Sequence, residues 1–122
     1  ARLAVGVAPQ MKFDKAELKV KAGAGVELAF TNNDPMPMMH NLVLVKPGSR
    51  IEIVTAAATM GAAGMANSFV PESDKVLAAT PLVLTGNTYK LYFKAPTTPG
   101  KYEYICTYPG HGLTMWGTLV VE

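Results

Sequence analysis

The sequence predicts an all-β domain, an antiparallel sandwich or barrel of about eight short strands. Three observations predict it. Turn residues recur at short intervals, the runs between them alternate between apolar and polar side chains, and only one segment has helical spacing. Alternation with a period of two places one set of side chains inward and the other toward solvent.

The predicted strands cover most of the chain. In the strand that ends at Cys106, we expect Tyr102, Tyr104 and Cys106 to point inward and the residues between them, Ile105 included, to face solvent. The full set of predicted strands is Leu3–Val7, Glu17–Val20, Val26–Asn32, Asn41–Lys46, Val76–Leu84, Tyr89–Ala95, Lys101–Cys106 and Gly117–Val121.

One segment departs from the strand pattern. Residues 50–67 are rich in alanine, and Ile51, Val54 and Ala58 lie at helical spacing. Gly61 and Gly64 disfavour a helix beyond this point. We therefore predict one short helix followed by a loop, which together form a flap on the outside of the sandwich.

Composition limits the function classes. The 122 residues fit a single domain, residues 1–122, and 49 % hydrophobic residues suffice for a packed core. A net charge of +2 without a basic run does not indicate nucleic-acid binding. No apolar stretch reaches the ~18 residues that a membrane span requires. The start at Ala1 without a leader is consistent with a removed signal or with a piece of a longer protein.

The only cysteine lies in a segment that is rich in potential metal ligands. Cys106, His111 and Met115 fall within ten residues, with Pro109 and Gly110 forming a predicted tight turn between the first two. A single thiol excludes an internal disulfide and a four-cysteine metal site. The other histidine of the chain, His40, precedes a predicted strand. If the two strands are neighbours, all four side chains meet at one end of the sandwich.

Each of these residues has a simpler interpretation when it is taken alone. His40 is consistent with a hydrogen-bonded core histidine, Met115 with core filling and Cys106 with an inert buried thiol. The combination of both histidines, the only cysteine and a spaced methionine at strand ends favours a metal site. Two imidazoles, one thiolate and a weak axial thioether are typical of blue-copper electron transfer, whereas thioether is a poor zinc ligand. We therefore expect one copper ion, cycling between Cu(I) and Cu(II).

The segment from His40 onward resembles the cupredoxins, and within them the azurins and auracyanins. The resemblance lies in the His40-Asn41 pair and in the spacing of Cys106, His111 and Met115, with Thr-Tyr-Pro-Gly after the cysteine. It implies a Greek-key sandwich with a type 1 copper site. His40, Cys106 and His111 would be strong ligands and Met115 the long axial one. Asn41 would hydrogen-bond the ligand loop near Thr107, and the amide after Cys106 would reduce the charge on the sulfur.

The resemblance also implies a function and a location. The chain would shuttle single electrons between redox proteins, such as cytochromes, that dock near His111, in the periplasm or another extracytoplasmic compartment. An independent enzyme is not expected, since no catalytic triad, paired carboxylates or phosphate-binding loop is present. Two alternatives remain: a copper carrier or storage protein that uses Met36, Met38 and Met39 as a Cu(I) handover site, and the electron-accepting module of a larger redox enzyme.

Overall fold

The computed structural model describes residues 1–122 and confirms the predicted β-sandwich. Ten strands and two short helices follow one another along the chain. The strands are β1 (Arg2–Val5), β2 (Val7–Ala8), β3 (Lys12–Phe13), β4 (Glu17–Val20), β5 (Gly25–Thr31), β6 (Val43–Val45), β7 (Val76–Ala79), β8 (Thr88–Lys94), β9 (Gly100–Ile105) and β10 (Trp116–Val121), and the helices are α1 (Arg50–Ala58) and α2 (Ala62–Ala66).

The strands form two main sheets. One has the order β4-β10-β9-β6-β7 and the other β1-β5-β8, while β2 and β3 form a separate antiparallel pair. Most neighbours are antiparallel, as predicted, but β1 runs parallel to β5 and β4 runs parallel to β10. Parallel neighbours need a crossover connection. The intervening strands supply it, because β2, β3 and β4 separate β1 from β5 along the chain.

The core lies between the two sheets and extends to the predicted ligands. Nineteen buried residues form one hydrophobic cluster, which includes Phe30, Leu42 and Tyr104 together with Cys106 and Met115. Tyr102, Tyr104 and Cys106 point inward, as predicted. Burial of this amount of apolar surface is the main favourable contribution to folding. The ligand-bearing ends of the strands are thus part of the core.

The opposite face of β9 is buried as well, and here the prediction was wrong. Ile105 was expected to face solvent, but it is fully buried in a second cluster with Val43, Val45 and Ile53. Ile53 belongs to α1, which therefore covers the outer face of the sheet next to Cys106. The prediction failed because alternation along a strand cannot reveal a helix that packs on its second face.

Two further boundaries differ from the prediction. The strand expected at 76–84 ends at Ala79, since Pro81 offers no backbone N–H, and pairing resumes only at Val83 as an isolated bridge to His40. The flap holds two helices instead of one. Gly64 lies within α2, where a Cβ would stand 2.1 Å from the Phe69 ring. Close packing against an aromatic ring thus explains a glycine that had been interpreted as a helix breaker.

Neither helix has the length and apolarity needed to cross a membrane: α1 has nine residues and α2 has five.

Candidate metal centre

The ligand loop between β9 and β10 is held by main-chain hydrogen bonds. Ile105 pairs with Trp116 at the base of the loop, and the amide of Cys106 donates to the carbonyl of Met115 at 3.0 Å. The carbonyl of His111 accepts from the amide of Met115 at 2.9 Å, and the His111 amide donates to Tyr108. Gly110 adopts a φ of +85°, which favours glycine. The loop therefore turns back and brings residues 106, 111 and 115 to one end of the sandwich.

His40 reaches the same place from the adjacent strand. Val43 of β6 lies opposite Ile105 of β9, so the residues that flank these strands are neighbours. His40 itself forms an isolated antiparallel bridge with Val83, whose amide donates to the His40 carbonyl at 2.8 Å. The backbone of His40 is thereby fixed although it lies outside a regular strand. The two strands are therefore neighbours, which was the condition for His40 to join the other three residues.

Three donor atoms converge in a buried position. The Nδ1 atoms of His40 and His111 are 3.2 Å apart, and the Sγ of Cys106 lies 3.8 Å from the first and 3.6 Å from the second. Ligands spaced evenly around an ion, at about 2.1 Å for nitrogen and about 2.3 Å for sulfur, would be about 3.6 Å and 3.8 Å apart. The observed separations are close to these values. The three atoms are therefore arranged around a common point where one cation fits.

Met115 is held next to these residues by its main chain. Its side chain is completely buried and belongs to the same core cluster as Cys106. Its main chain is bonded to both Cys106 and His111. Two imidazole nitrogens, a thiol and a neighbouring thioether form a soft donor set that suits copper better than magnesium, calcium or zinc.

Burial favours the neutral forms of Cys106 and His111. It raises the pKa of the Cys106 thiol to about 11, although the backbone amides of Asn41 and Tyr108 act in the opposite direction. Burial lowers the pKa of His111 to about 4, and the proximity of His40 adds to this effect. At neutral pH the imidazole of His111 thus has a free lone pair, while a cation that binds the sulfur must displace its proton.

Asn41 connects the two halves of the centre, as predicted. Its side-chain oxygen accepts from the amide of Thr107 at 2.8 Å, and its nitrogen donates to the Thr107 hydroxyl at 2.8 Å and to the Ser68 carbonyl at 2.9 Å. One detail differs from the expectation. The amide that follows Cys106, that of Thr107, donates to the side-chain oxygen of Asn41. The backbone amides that lower the pKa of the thiol are instead those of Asn41 and Tyr108.

Two charged residues of the centre were missed by sequence reasoning. The Asp34 carboxylate lies 2.8 Å from Nε2 of His40, on the side away from Cys106. Arg50 of α1 donates to the carbonyl of Gly112 at 2.9 Å, and its guanidinium stacks 4.5 Å from the centroid of the Trp116 ring. Asp34 stands in a turn six residues before His40, a position that indicated only a turn. The role of Arg50 depends on where the helix packs and has no local signature.

Comparison of the sequence with known proteins also indicates a copper-binding protein. A family model described as copper binding proteins of the plastocyanin/azurin family matches residues 2–122. Auracyanin-A of Chloroflexus aurantiacus is 39 % identical over 113 residues, which cover 93 % of this chain and 68 % of that protein. Auracyanin-B of the same organism is 38 % identical over 115 residues, or 91 % of this chain, and the chain spans only 47 % of it.

A solved structure supports the same assignment. Auracyanin A, described as a "blue" copper protein from Chloroflexus aurantiacus, superposes with a TM-score of 0.89 at 36 % identity and covers 100 % of this chain and 98 % of its own. The cupredoxin fold that the resemblance implied is therefore confirmed. From the matching family model, the sequence identity and the shared fold together, we conclude that the chain belongs to the plastocyanin/azurin family of copper-binding proteins.

Proposed function

We propose that this chain transfers single electrons through one type 1 copper ion, with His40, Cys106 and His111 as strong ligands and Met115 as the weak axial ligand. The observation that carries the proposal is the convergence of two Nδ1 atoms and one Sγ in a buried cluster beside a buried thioether. Bound copper would supply one-electron exchange between Cu(II) and Cu(I).

The protein holds the donors with little freedom to move. His40 is fixed by its bridge to Val83, Cys106 and Met115 by the base of the ligand loop, and Asn41 ties one half to the other. Packed side chains and satisfied hydrogen bonds resist rearrangement. A donor set that stays in place when the charge of the ion changes favours fast electron transfer over copper carriage, since a carrier needs exposed and exchangeable ligands.

The surface next to His111 is the proposed electron port. His111 keeps 4 % of its surface accessible, the Tyr108 ring lies 4.8 Å from its own, and Leu113, two residues further along the loop, is 66 % exposed. Met36 also presents an exposed apolar side chain. A small uncharged surface suits the brief and weak docking of redox partners, which are proteins such as cytochromes in an extracytoplasmic compartment.

The first experiment tests the ligand set. We expect the copper-loaded, oxidised protein to show the intense visible absorption of a Cu(II)–thiolate bond, and C106S to lose it. M115L should keep the absorption but shift the reduction potential, because only the weak ligand is removed. M36L, a matched change at an exposed methionine, should alter neither property. A wild-type protein without that absorption would overturn the proposal.

The second experiment tests the port. L113D should slow electron exchange with a cytochrome, because a charge in the docking surface must be desolvated. The matched control is L77D, since Leu77 lies with Lys46 and Pro96 at the other end of the sandwich. Both variants should keep the visible spectrum. Equal exchange rates in the two variants would contradict docking at this surface.

A further inference from the structure

Asp34 is held rigidly in the turn that follows β5. Its Oδ1 accepts the amide of Met36 at 2.9 Å, and its own amide donates to the side-chain oxygen of Asn32. Asn32 is completely buried and donates in turn to the carbonyls of Met38 and Val83 at 2.8 Å. The turn that carries Asp34 is thus connected through Asn32 to Val83, the residue that also pairs with the backbone of His40.

The second oxygen of this carboxylate contacts the imidazole of His40. Oδ2 lies 2.8 Å from Nε2, and the His40 ring is fully buried. An ionised carboxylate only accepts hydrogen bonds, so Nε2 carries the proton and Nδ1 keeps its lone pair. Nδ1 is the atom that faces Cys106 and His111. The hydrogen bond therefore selects the tautomer that the metal centre needs.

The two histidines differ in this respect. His111 contacts the centre through Nδ1, as His40 does, but its Nε2 has no carboxylate partner. The imidazole of His40 is hydrogen-bonded to the partly buried carboxylate of Asp34, whereas the imidazole of His111 borders the proposed electron port. A negative charge one imidazole away from an ion stabilises its higher oxidation state.

We propose that Asp34 is a positioning residue of the metal centre, which orients His40 with Nδ1 toward the ion and favours Cu(II) over Cu(I). This inference rests on the proposed function. Its consequence is a lower reduction potential than the four ligands alone would produce.

The test compares D34N with D14N. Both substitutions remove one negative charge from an aspartate whose Oδ1 accepts a main-chain amide, Met36 in one case and Gly6 in the other, but Asp14 contacts neither histidine. We expect D34N to weaken Cu(II) affinity relative to Cu(I) about tenfold, which raises the one-electron potential by about 59 mV. D14N should produce a much smaller shift. Equal shifts in both variants, or none in D34N, would overturn the proposal.

A second measurement uses the unmodified protein, in case D34N does not fold. Nitrogen NMR of the copper-free wild type, in which no metal ion dictates the tautomer, should show His40 protonated at Nε2, with a proton that exchanges slowly with water. A His40 that is protonated at Nδ1 would contradict the inference. A wild type without Cu(II)–thiolate absorption would instead reject the proposed function, so the two failures are distinguishable.

Discussion

At the scale of single residues, Asn41 shows how one polar side chain can stabilise a metal centre without touching the ion. It is fully buried, and three groups depend on it: the amide and hydroxyl of Thr107 and the carbonyl of Ser68. Removing the partner of a buried polar group costs more free energy than the hydrogen bond itself contributes, because the group then bonds neither to the protein nor to water. The ligand loop and the flap meet at this side chain.

We expect N41A to lower the free energy of unfolding of the copper-free protein by about 3 kcal/mol, since several buried groups lose their partner. Chemical denaturation of the copper-free protein measures the change. N67A is the matched control, because Asn67 is exposed and its side chain bonds only to the carbonyl of Ala63, in the helix that it ends. A loss in N41A no larger than that in N67A would show that water replaces the Asn41 side chain.

At the scale of elements, α1 fixes the ligand loop from outside. Arg50 at its start bonds the carbonyl of Gly112, and Val54 one turn later packs against the same residue. A Cβ on Gly112 would lie 2.4 Å from a methyl group of Val54 and 3.0 Å from the carbonyl oxygen of Cys106. The glycine is therefore required by the close approach of the helix, and the helix limits how far His111 can move.

We expect G112A to destabilise the copper-free protein by about 2 kcal/mol, because the added methyl group overpacks this contact. In the double variant, V54A should remove the contact with the Val54 methyl groups and so recover part of the lost stability. The close contact with the carbonyl oxygen of Cys106 should remain. Denaturation of the four proteins in this double-mutant cycle measures the coupling.

G25A serves as the control for a glycine replacement, since no atom lies within 4 Å of a Cβ at Gly25. Strictly additive effects of G112A and V54A would mean that the helix does not press on the loop.

At the scale of the whole molecule, we propose that the chain folds as one domain whose core exists without the metal. The nineteen-residue cluster joins both sheets and includes Cys106 and Met115, so the ligands are positioned by packing. Copper would then add stability by binding a preformed site.

We expect the copper-free protein to unfold in a single transition, with the same midpoint by far-ultraviolet circular dichroism and by Trp116 fluorescence. Copper at a free concentration of about one hundred times the dissociation constant should add about 2.7 kcal/mol of stability. Two separate transitions in the copper-free protein would contradict the single domain. An unchanged midpoint with copper would contradict a site that exists only in the folded state.

Much of the fold was predictable because strand alternation and turn residues are local properties. Residues 102, 104 and 106 were correctly placed in the core, and the spacing of Cys106, His111 and Met115 predicted that they lie on one loop. Ile105 and Gly64 were misinterpreted for a common reason. Ile105 is covered by a helix distant in sequence, and Gly64 lies against the ring of Phe69, five residues later; strand alternation and glycine content reveal neither contact.

The sequence by itself determined the chemistry of the centre: one thiol, two imidazoles and a thioether, with a loop short enough to bring three of them together. Only the tertiary structure decided that His40 joins them, since its place depends on the pairing of β6 with β9 and on the bridge to Val83. It also decided that the Asp34 carboxylate bonds to His40 and that α1 packs on the ligand loop. Ligand identity is a property of residue types, whereas convergence depends on which strands pair and which surfaces pack across the whole chain.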